Sequence, residues 1–208
     1  MGMPGALVER YSVSRESQTR IETYVDLLVK WQERINLIGP STVDDIWSRH
    51  VGDALQLIPL LPPGTAPIAD LGSGAGIPGL ILALSTGRLV RLYESNGKKA
   101  AFLREAIRRT AAPAEVHHMR IETIDGAVSP AADVVTARAF APLPRLFSLA
   151  EPFFLHGAIG LFHKGQDVDA ELTEATKYWK LQFVKHPSVV DSKGVILEVT
   201  EAQRVGPE

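Results

Sequence analysis

The sequence contains no cysteine. Disulfides, thiolate zinc sites and cysteine nucleophiles are therefore excluded. No apolar run approaches the roughly 18 residues that would span a bilayer. Residues 1–9 lack the basic-then-apolar pattern of a leader peptide, so a soluble, cytoplasmic protein is expected. Neither sign of charge is in excess: 22 basic side chains stand against 24 acidic ones, for a formal net charge of −2. Such a balance gives no bulk support to nucleic-acid binding, which would need a local basic face. There is no internal repeat, low-complexity stretch or coiled-coil pattern, and a monomer is expected. His117 and His118 are adjacent on a predicted strand and would face opposite ways, so a metal held by both is not expected.

What is present reads as an ordinary globular chain. Its 208 residues are 45% hydrophobic and 22% charged, enough for one domain with a short extension. Ile21, Tyr24, Val25, Leu28, Trp31 and Ile35 recur at spacings of three and four, which predicts an amphipathic helix over 16–38. Gly39-Pro40 ends it. Ser41 and Thr42 are candidate caps for a second helix over 43–61, where His50 and Asp53 lie one turn apart and are placed to hydrogen-bond. Leu61-Pro62-Pro63-Gly64 breaks the pattern. The expected organisation is a helical extension over 1–63 and a main unit over 64–208.

Beyond the break, short apolar runs alternate with helical stretches. Strands are predicted over 67–71, 89–94, 115–119, 133–136, 158–163, 182–186 and 195–200. Helices are predicted over 77–86, 97–110, 121–125, 143–151 and 168–178. Such alternation implies an α/β fold with a mostly parallel sheet covered on both faces. The last two runs have no room for a helix between them and are expected to pair as an antiparallel hairpin.

The most informative stretch is Ile68-Ala69-Asp70-Leu71-Gly72-Ser73-Gly74-Ala75-Gly76-Ile77-Pro78-Gly79. A buried strand ends near Asp70, a glycine loop turns, and a helix begins. Glycines 72, 74 and 76 permit positive φ and close approach of a ligand to the backbone. Pro78 suits a first helical turn. Amides at such a turn favour a carboxylate or phosphate. The next strand ends in Glu94, an acid placed to accept the ribose hydroxyls of an adenosine. Gly74, Gly76 and Gly79 also match the dinucleotide fingerprint, so a nicotinamide cofactor competes with S-adenosylmethionine. The register, with glycines starting directly after Asp70-Leu71, and the terminal hairpin in place of a second βαβ half favour S-adenosylmethionine. Five parallel strands plus a reversed hairpin is the Rossmann-like, seven-stranded sheet of class I methyltransferases.

Further marks accompany this loop: Trp31 with Asn36-Leu37, Arg49-His50 with Asp53, Glu94-Ser95 followed by Lys98-Lys99, Phe102-Leu103, Arg120-Ile121-Glu122, Arg138-Ala139 and Lys164-Gly165. Together, from about Tyr24 to Glu198, they resemble the bacterial 16S ribosomal RNA 7-methylguanosine methyltransferases of the RsmG or GidB type. The chain departs from that pattern at Ile38, Ala54 and Glu94, where the family usually has Thr, Ser and Asp. The resemblance implies S-adenosylmethionine as cofactor, with Gly72, Ile77, Ile121, Glu122 and Arg138 lining its site. It implies N7 methylation of one guanosine in the decoding-region loop of 16S ribosomal RNA, on the RNA or the small ribosomal subunit.

The chemistry is consistent with the residues. Guanine N7 has a lone pair and no proton, so no general base is required, and catalysis reduces to alignment and electrostatics. There is no Cys for attack on cytosine C5, and no Asn/Asp-Pro-Pro-aromatic loop follows the fourth strand. Arg138 and Lys164 end the fourth and fifth strands and are the expected catalytic pair, pointing into the mouth where a base would enter. Phe140 offers a stacking face. Lys98, Lys99, Arg145 and Lys164 are the expected RNA contacts, with Arg104, Arg108 and Arg109 on the same helix as the first two. A methyltransferase of another RNA or of a small molecule remains the alternative. A non-catalytic RNA binder would have no need of a nucleoside pocket.

Overall fold

The computed structural model describes residues 2–124 and 132–206. Seven strands form one sheet: β1 (Ile68–Leu71), β2 (Val90–Tyr93), β3 (Ala114–His117), β4 (Val134–Arg138), β5 (Ile159–Lys164), β6 (Trp179–Pro187) and β7 (Val195–Arg204). Their order across the sheet is β3-β2-β1-β4-β5-β7-β6. The first five are parallel, β7 runs antiparallel to β5, and β6 antiparallel to β7. The order in which strands are added across the sheet therefore switches sides between β1 and β4, and the carboxyl ends of these two parallel strands open on the same edge. That is where an open α/β sheet takes its ligand.

Alternate residues of the central strands feed two apolar layers, as the two-residue period of a strand requires. Ile68, Val90 and Leu92 join one layer with Leu80, Ile81 and Phe102. Ala69, Leu71, Val135 and Ala137 join the other with Phe147, Phe153, Phe162 and Trp179. The first layer is roofed by α2 (Arg15–Gln32), α4 (Gly79–Thr86) and α5 (Gly97–Thr110), the second by α6 (Leu143–Phe154) and α7 (Val168–Ala175). Tyr24, Val25 and Leu28 of α2 lie in the same layer as α4 and α5, so the N-terminal segment shares its core with the sheet. A six-residue helix, α1 (Gly5–Arg10), precedes α2. At the boundary, buried Arg88, just before β2, donates to the carbonyls of Ala66 and Pro62 and ties the loop leading into β1 to the entry of β2.

Three predicted helices are changed. The first begins as expected, with Ser14 accepting from the Ser17 amide, but it ends at Gln32 rather than at 38. There the Gln32 side chain takes over the backbone: its Oε1 accepts from the amides of Leu37 and Ile38, and its Nε2 donates to the Ile38 carbonyl. The second, predicted over 43–61, is broken into a 3-10 turn at Pro40–Thr42, a π-helical turn at Trp47–Gly52, the single turn α3 (Asp53–Leu55) and a 3-10 turn at Ile58–Leu60. Pro59 cannot continue an α-helix, and the π turn is the stretch whose side chains reach the functional site. Pro78 follows a cis peptide bond and caps α4 rather than entering its first turn. The predicted helix over 121–125 is a 3-10 turn at Ile121–Thr123, and Asp125 lies outside the described residues.

Candidate functional site

The glycine loop leaves β1 and reaches α4 through three left-handed residues, Gly72 (φ 66°), Gly74 (φ 56°) and Gly76 (φ 84°). Side-chain-bearing residues are strained at such angles, which accounts for the alternation seen in the sequence. Two contacts hold the loop in place. The fully buried Tyr24 hydroxyl of α2 donates to the Ala75 carbonyl at 2.7 Å, and burial drives that phenol's pKa upward. The Gly74 amide donates to Glu94 Oε2 at 2.8 Å, while Glu94 Oε1 accepts the Asn96 amide at 2.7 Å. The acid closing β2 is thus aimed across the top of the loop.

Asp70 is buried beneath the loop. Its Oδ1 accepts from Thr136 Oγ1 at 2.7 Å, and burial pushes its carboxyl up to about 6 against that bond. α4 approaches the same group closely: a Cβ at Gly79 would stand 2.7 Å from Asp70 Oδ2 and 2.5 Å from Leu92 Cδ2. Asp70 therefore supports the loop from below, where it has only 1% exposure. Ile77, at the end of the loop, is buried. At the next corner Ile121 is buried, while Glu122 pairs with Arg145 of α6 at 2.7 Å. The Glu122 carboxyl is held below its ordinary range, first by its own backbone amide and then by Arg145.

The β4–β5 corner differs from the sequence expectation. Arg138 and Lys164 were expected to present free cationic heads to the mouth, and both are taken up by the protein. Arg138 Nε lies 2.7 Å from Asp53 Oδ2, one terminal nitrogen meets His50 Nδ1 at 2.9 Å, and the other donates to the Arg49 carbonyl at 2.9 Å. His50 and Asp53 thus converge on Arg138 rather than on each other. A guanidinium only donates, so His50 Nδ1 is the acceptor and its proton sits on Nε2. Nε2–H then donates to Thr42 Oγ1 at 2.7 Å, and that hydroxyl donates to the Gly39 carbonyl. Burial, then the charges of Arg138 and Arg49, pull the imidazole down to about 4, which keeps it neutral as this tautomer demands. The rest of Asp53 is also engaged: Gln56 Nε2 donates to Oδ1 at 2.6 Å, and His163 Nε2 donates to the Asp53 carbonyl at 2.8 Å. Burial lowers the His163 pKa against the pull of Asp53.

Lys164 Nζ lies 2.6 Å from Glu171 Oε2 of α7 and donates to the Ala141 carbonyl at 3.2 Å. The same Glu171 oxygen accepts the Leu143 amide at 2.6 Å. Lys164 and Glu171 together pin the loop that carries Phe140 onto β5 and α7. Between Arg138 and that loop, Ala139 takes a left-handed φ of 48°, strained for a residue with a Cβ. The turn throws Phe140 back over the glycine loop, where a Cβ on Gly72 would lie 2.2 Å from Phe140 Cδ2. A cleft of about 270 Å³ opens beside the ring, lined by Ala137, Ala139, Phe140, Pro142 and Lys164 among others.

Lys98 and Lys99 start α5 beside Glu94, their amides donating to the Asn96 side chain. Arg108 further along is paired with Glu105. His117 stacks on Tyr93 with ring centroids 4.8 Å apart, and His118 reaches the Ser95 carbonyl. Among the described residues, no group of three or more histidines and acids is arranged to hold a metal, and no helix is long and apolar enough to cross a membrane. Tyr24, Gln56, His163 and Glu171 were not legible as site residues. Their contacts join positions far apart in the chain, and no local spacing marks them.

A sheet of this order, with its last strand pair reversed and a glycine loop after β1, defines the class I S-adenosylmethionine-dependent methyltransferase fold. Solved structures agree: a TehB-like SAM-dependent methyltransferase from Corynebacterium glutamicum superposes with a TM-score of 0.55 over 84% of this chain and 97% of its own, at 16% identity. TYW2 from M. jannaschii, solved with AdoMet, gives 0.56 over 83% and 80%, at 12% identity. Residues 17–200 match the family model of GidB, described as rRNA small subunit methyltransferase G. Proteins named ribosomal RNA small subunit methyltransferase G from Paramagnetospirillum magneticum and Rhodospirillum rubrum are 48% and 49% identical, over 97% of this chain and 97% and 98% of theirs. The chain belongs to the rRNA small subunit methyltransferase G family.

Proposed function

We propose that this protein transfers a methyl group from S-adenosylmethionine to N7 of a guanosine in 16S ribosomal RNA. The observation that carries the reading is the loop itself: three left-handed glycines joined to Glu94 through the Gly74 amide. A backbone free of Cβ atoms, next to a carboxylate that closes the neighbouring strand, fits a nucleoside bearing an amino acid. In this reading Gly72, Gly74, Gly76 and Ile77 cradle the methionine part, Asp70 supports that cradle, and Glu94 takes the ribose. Ile121 and Glu122 flank the adenine. The bound cofactor supplies an electrophilic methyl group on a sulfonium whose sulfur leaves with the bonding electrons.

Nothing else is required to move a proton, because N7 of guanine has none to lose. The protein's part is alignment. Arg138 and Lys164 serve as positioning residues: one fixes the end of β4 against the π-helical turn, the other holds the loop bearing Phe140. Phe140 then stands at the junction of the glycine loop and the base-entry cleft. The same reading makes the enzyme a cytoplasmic monomer, with 1–63 as a helical extension folded onto the 64–208 methyltransferase unit.

The test is incubation of the purified protein with labelled donor and either small-subunit particles or protein-free 16S RNA, followed by nucleoside analysis. Label in 7-methylguanosine is expected. Label in a different nucleoside would overturn the N7 assignment, and label in small molecules alone would overturn the RNA assignment.

A further inference from the structure

The outer side of the first apolar layer carries a feature that the site described above does not use. Where the C-terminal end of α2 meets the start of α5, a groove of about 570 Å³ is lined by Leu27, Lys30, Trp31, Arg34, Ile35 and Lys98. Three cations face one acid there, Glu33. The described structure gives the side chains of Lys30, Arg34 and Lys98 no hydrogen bond or ion pair. Elsewhere on this nearly neutral molecule Arg20, Arg108, Arg145, Lys177 and Lys185 are each paired with an acid. Between these charges lies an indole. Trp31 is the least buried of the three tryptophans, its ring braced edge-on by buried Phe102 at 5.7 Å.

The groove also leads to the site. Lys98 is held through its amide by Asn96, and the Asn96 amide is bound to Glu94. One end of the groove therefore lies two hydrogen bonds from the proposed ribose acid, on the edge of the sheet where the cleft opens.

We propose that this α2–α5 groove binds a single-stranded stretch of the substrate RNA that flanks the target nucleotide, with phosphates on Lys30, Arg34 and Lys98 and one base against Trp31. Unpaired cations around a braced aromatic ring match the two demands of an unpaired RNA strand, neutralised phosphates and a stacking face. The proposal rests on the RNA reading given above, and it gives the N-terminal helix a part in substrate selection.

The double substitution Lys30→Ala/Arg34→Ala tests it, because both side chains are exposed and neither supports the core. A matched control is Lys177→Ala/Lys180→Ala, an equal loss of charge outside the groove. Binding of a protein-free 16S fragment is measured by fluorescence anisotropy at several salt concentrations, and S-adenosylhomocysteine binding by calorimetry. The groove variant is expected to bind RNA at least about tenfold more weakly, with the salt slope shallower by about 1.4, as befits two lost single-strand phosphate contacts. KM for RNA rises, kcat at saturating RNA stays, and cofactor affinity is unchanged. RNA should quench tryptophan emission in the parent protein and not in Trp31→Phe.

If the parent methylates RNA and the groove variant matches it in affinity and salt slope, the groove proposal is overturned and the RNA reading stands. If the variant fails only on assembled particles and binds free RNA normally, the groove grips a ribosomal protein and the proposal is overturned. If the parent binds cofactor but neither binds nor methylates RNA, both fall.

Discussion

At the β1–β2 corner the working parts are backbone. Three glycine conformations, one peptide carbonyl held by Tyr24 and two amides on Glu94 set the shape. At the β4–β5 corner the working parts are side chains, and each charge there is matched from another element: Arg138 by Asp53 at the start of α3, with His50 of the π-helical turn beside it, and Lys164 by Glu171 of α7. On the proposed function the difference matches what each side would bind. A cofactor of fixed shape would be met by a rigid loop whose geometry is local. A base carried on a large polymer would be met by a corner whose orientation depends on the surrounding fold. The first corner should thus fail through strain, the second through loss of partners.

The largest effect is expected at Arg138. Its removal leaves Asp53, whose side chain is only 12% exposed, with no cation and leaves His50 Nδ1 without a donor. Breaking a mostly buried pair costs roughly 3 to 5 kcal/mol. Arg138→Ala should lose about that much in urea unfolding, along with methyl transfer. Arg138→Lys should recover part of it, since one ammonium cannot reach all three partners. An alanine variant of normal stability would mean that the corner is not held by this network.

Next is a pH effect at the first corner. Asp70's carboxyl is raised to about 6, so the folded protein holds that proton more tightly than the unfolded chain does. Its favourable contribution is complete below pH 3.8 and is lost as pH rises through about 6, amounting to about 3 kcal/mol. His50 tilts the other way. Its value is lowered to about 4, so its contribution is present above pH 6.5 and is lost as pH falls through about 4. The two oppose each other in the parent protein, and only a variant separates them. Against Asp70→Asn, the parent should lose about 3 kcal/mol of relative stability between about pH 3 and pH 7. A constant difference across that range would show that the carboxyl is not penalised by burial.

Gly72→Ala comes third. The substitution forces a Cβ onto a φ of 66° and puts it 2.2 Å from the Phe140 ring. Affinity for S-adenosylhomocysteine should fall about 100-fold, corresponding to about 2.7 kcal/mol. Unchanged affinity by calorimetry would remove the backbone account of the cradle.

The same contrast governs what could be read in the sequence. Asp70, the three glycines and Glu94 lie within one strand–loop–helix–strand unit, so spacing was enough to single them out and to place the two strands on either side. Arg138 could be placed at the end of β4, but its partners lie 88 and 89 positions away, and periodicity says nothing about them. The two misjudged N-terminal helices are cut short by non-repetitive causes: the Gln32 side chain capturing Leu37 and Ile38, and a π turn ahead of Pro59. Insertion of β7 between β5 and β6 follows from pairing across the sheet, which a run-by-run reading does not contain.

The smallest effect is expected at Arg145, which joins α6 to the turn after β3. Its bridge to Glu122 is 2.7 Å long, but the side chains are 50% and 45% exposed, so solvent screens most of the attraction. Arg145→Ala should change stability by less than about 1 kcal/mol. What it changes besides stability decides which corner Arg145 serves. As an RNA contact, its loss should weaken RNA binding several-fold and make the salt slope shallower by about 0.7, with cofactor affinity unchanged. If it acts through Glu122 on the adenine side, cofactor affinity falls and the salt slope stays. Calorimetry with S-adenosylhomocysteine beside a salt series with RNA separates the two. The first outcome is expected, because the guanidinium is half exposed and the Glu122 carboxyl takes its lowered pKa first from its own amide rather than from Arg145.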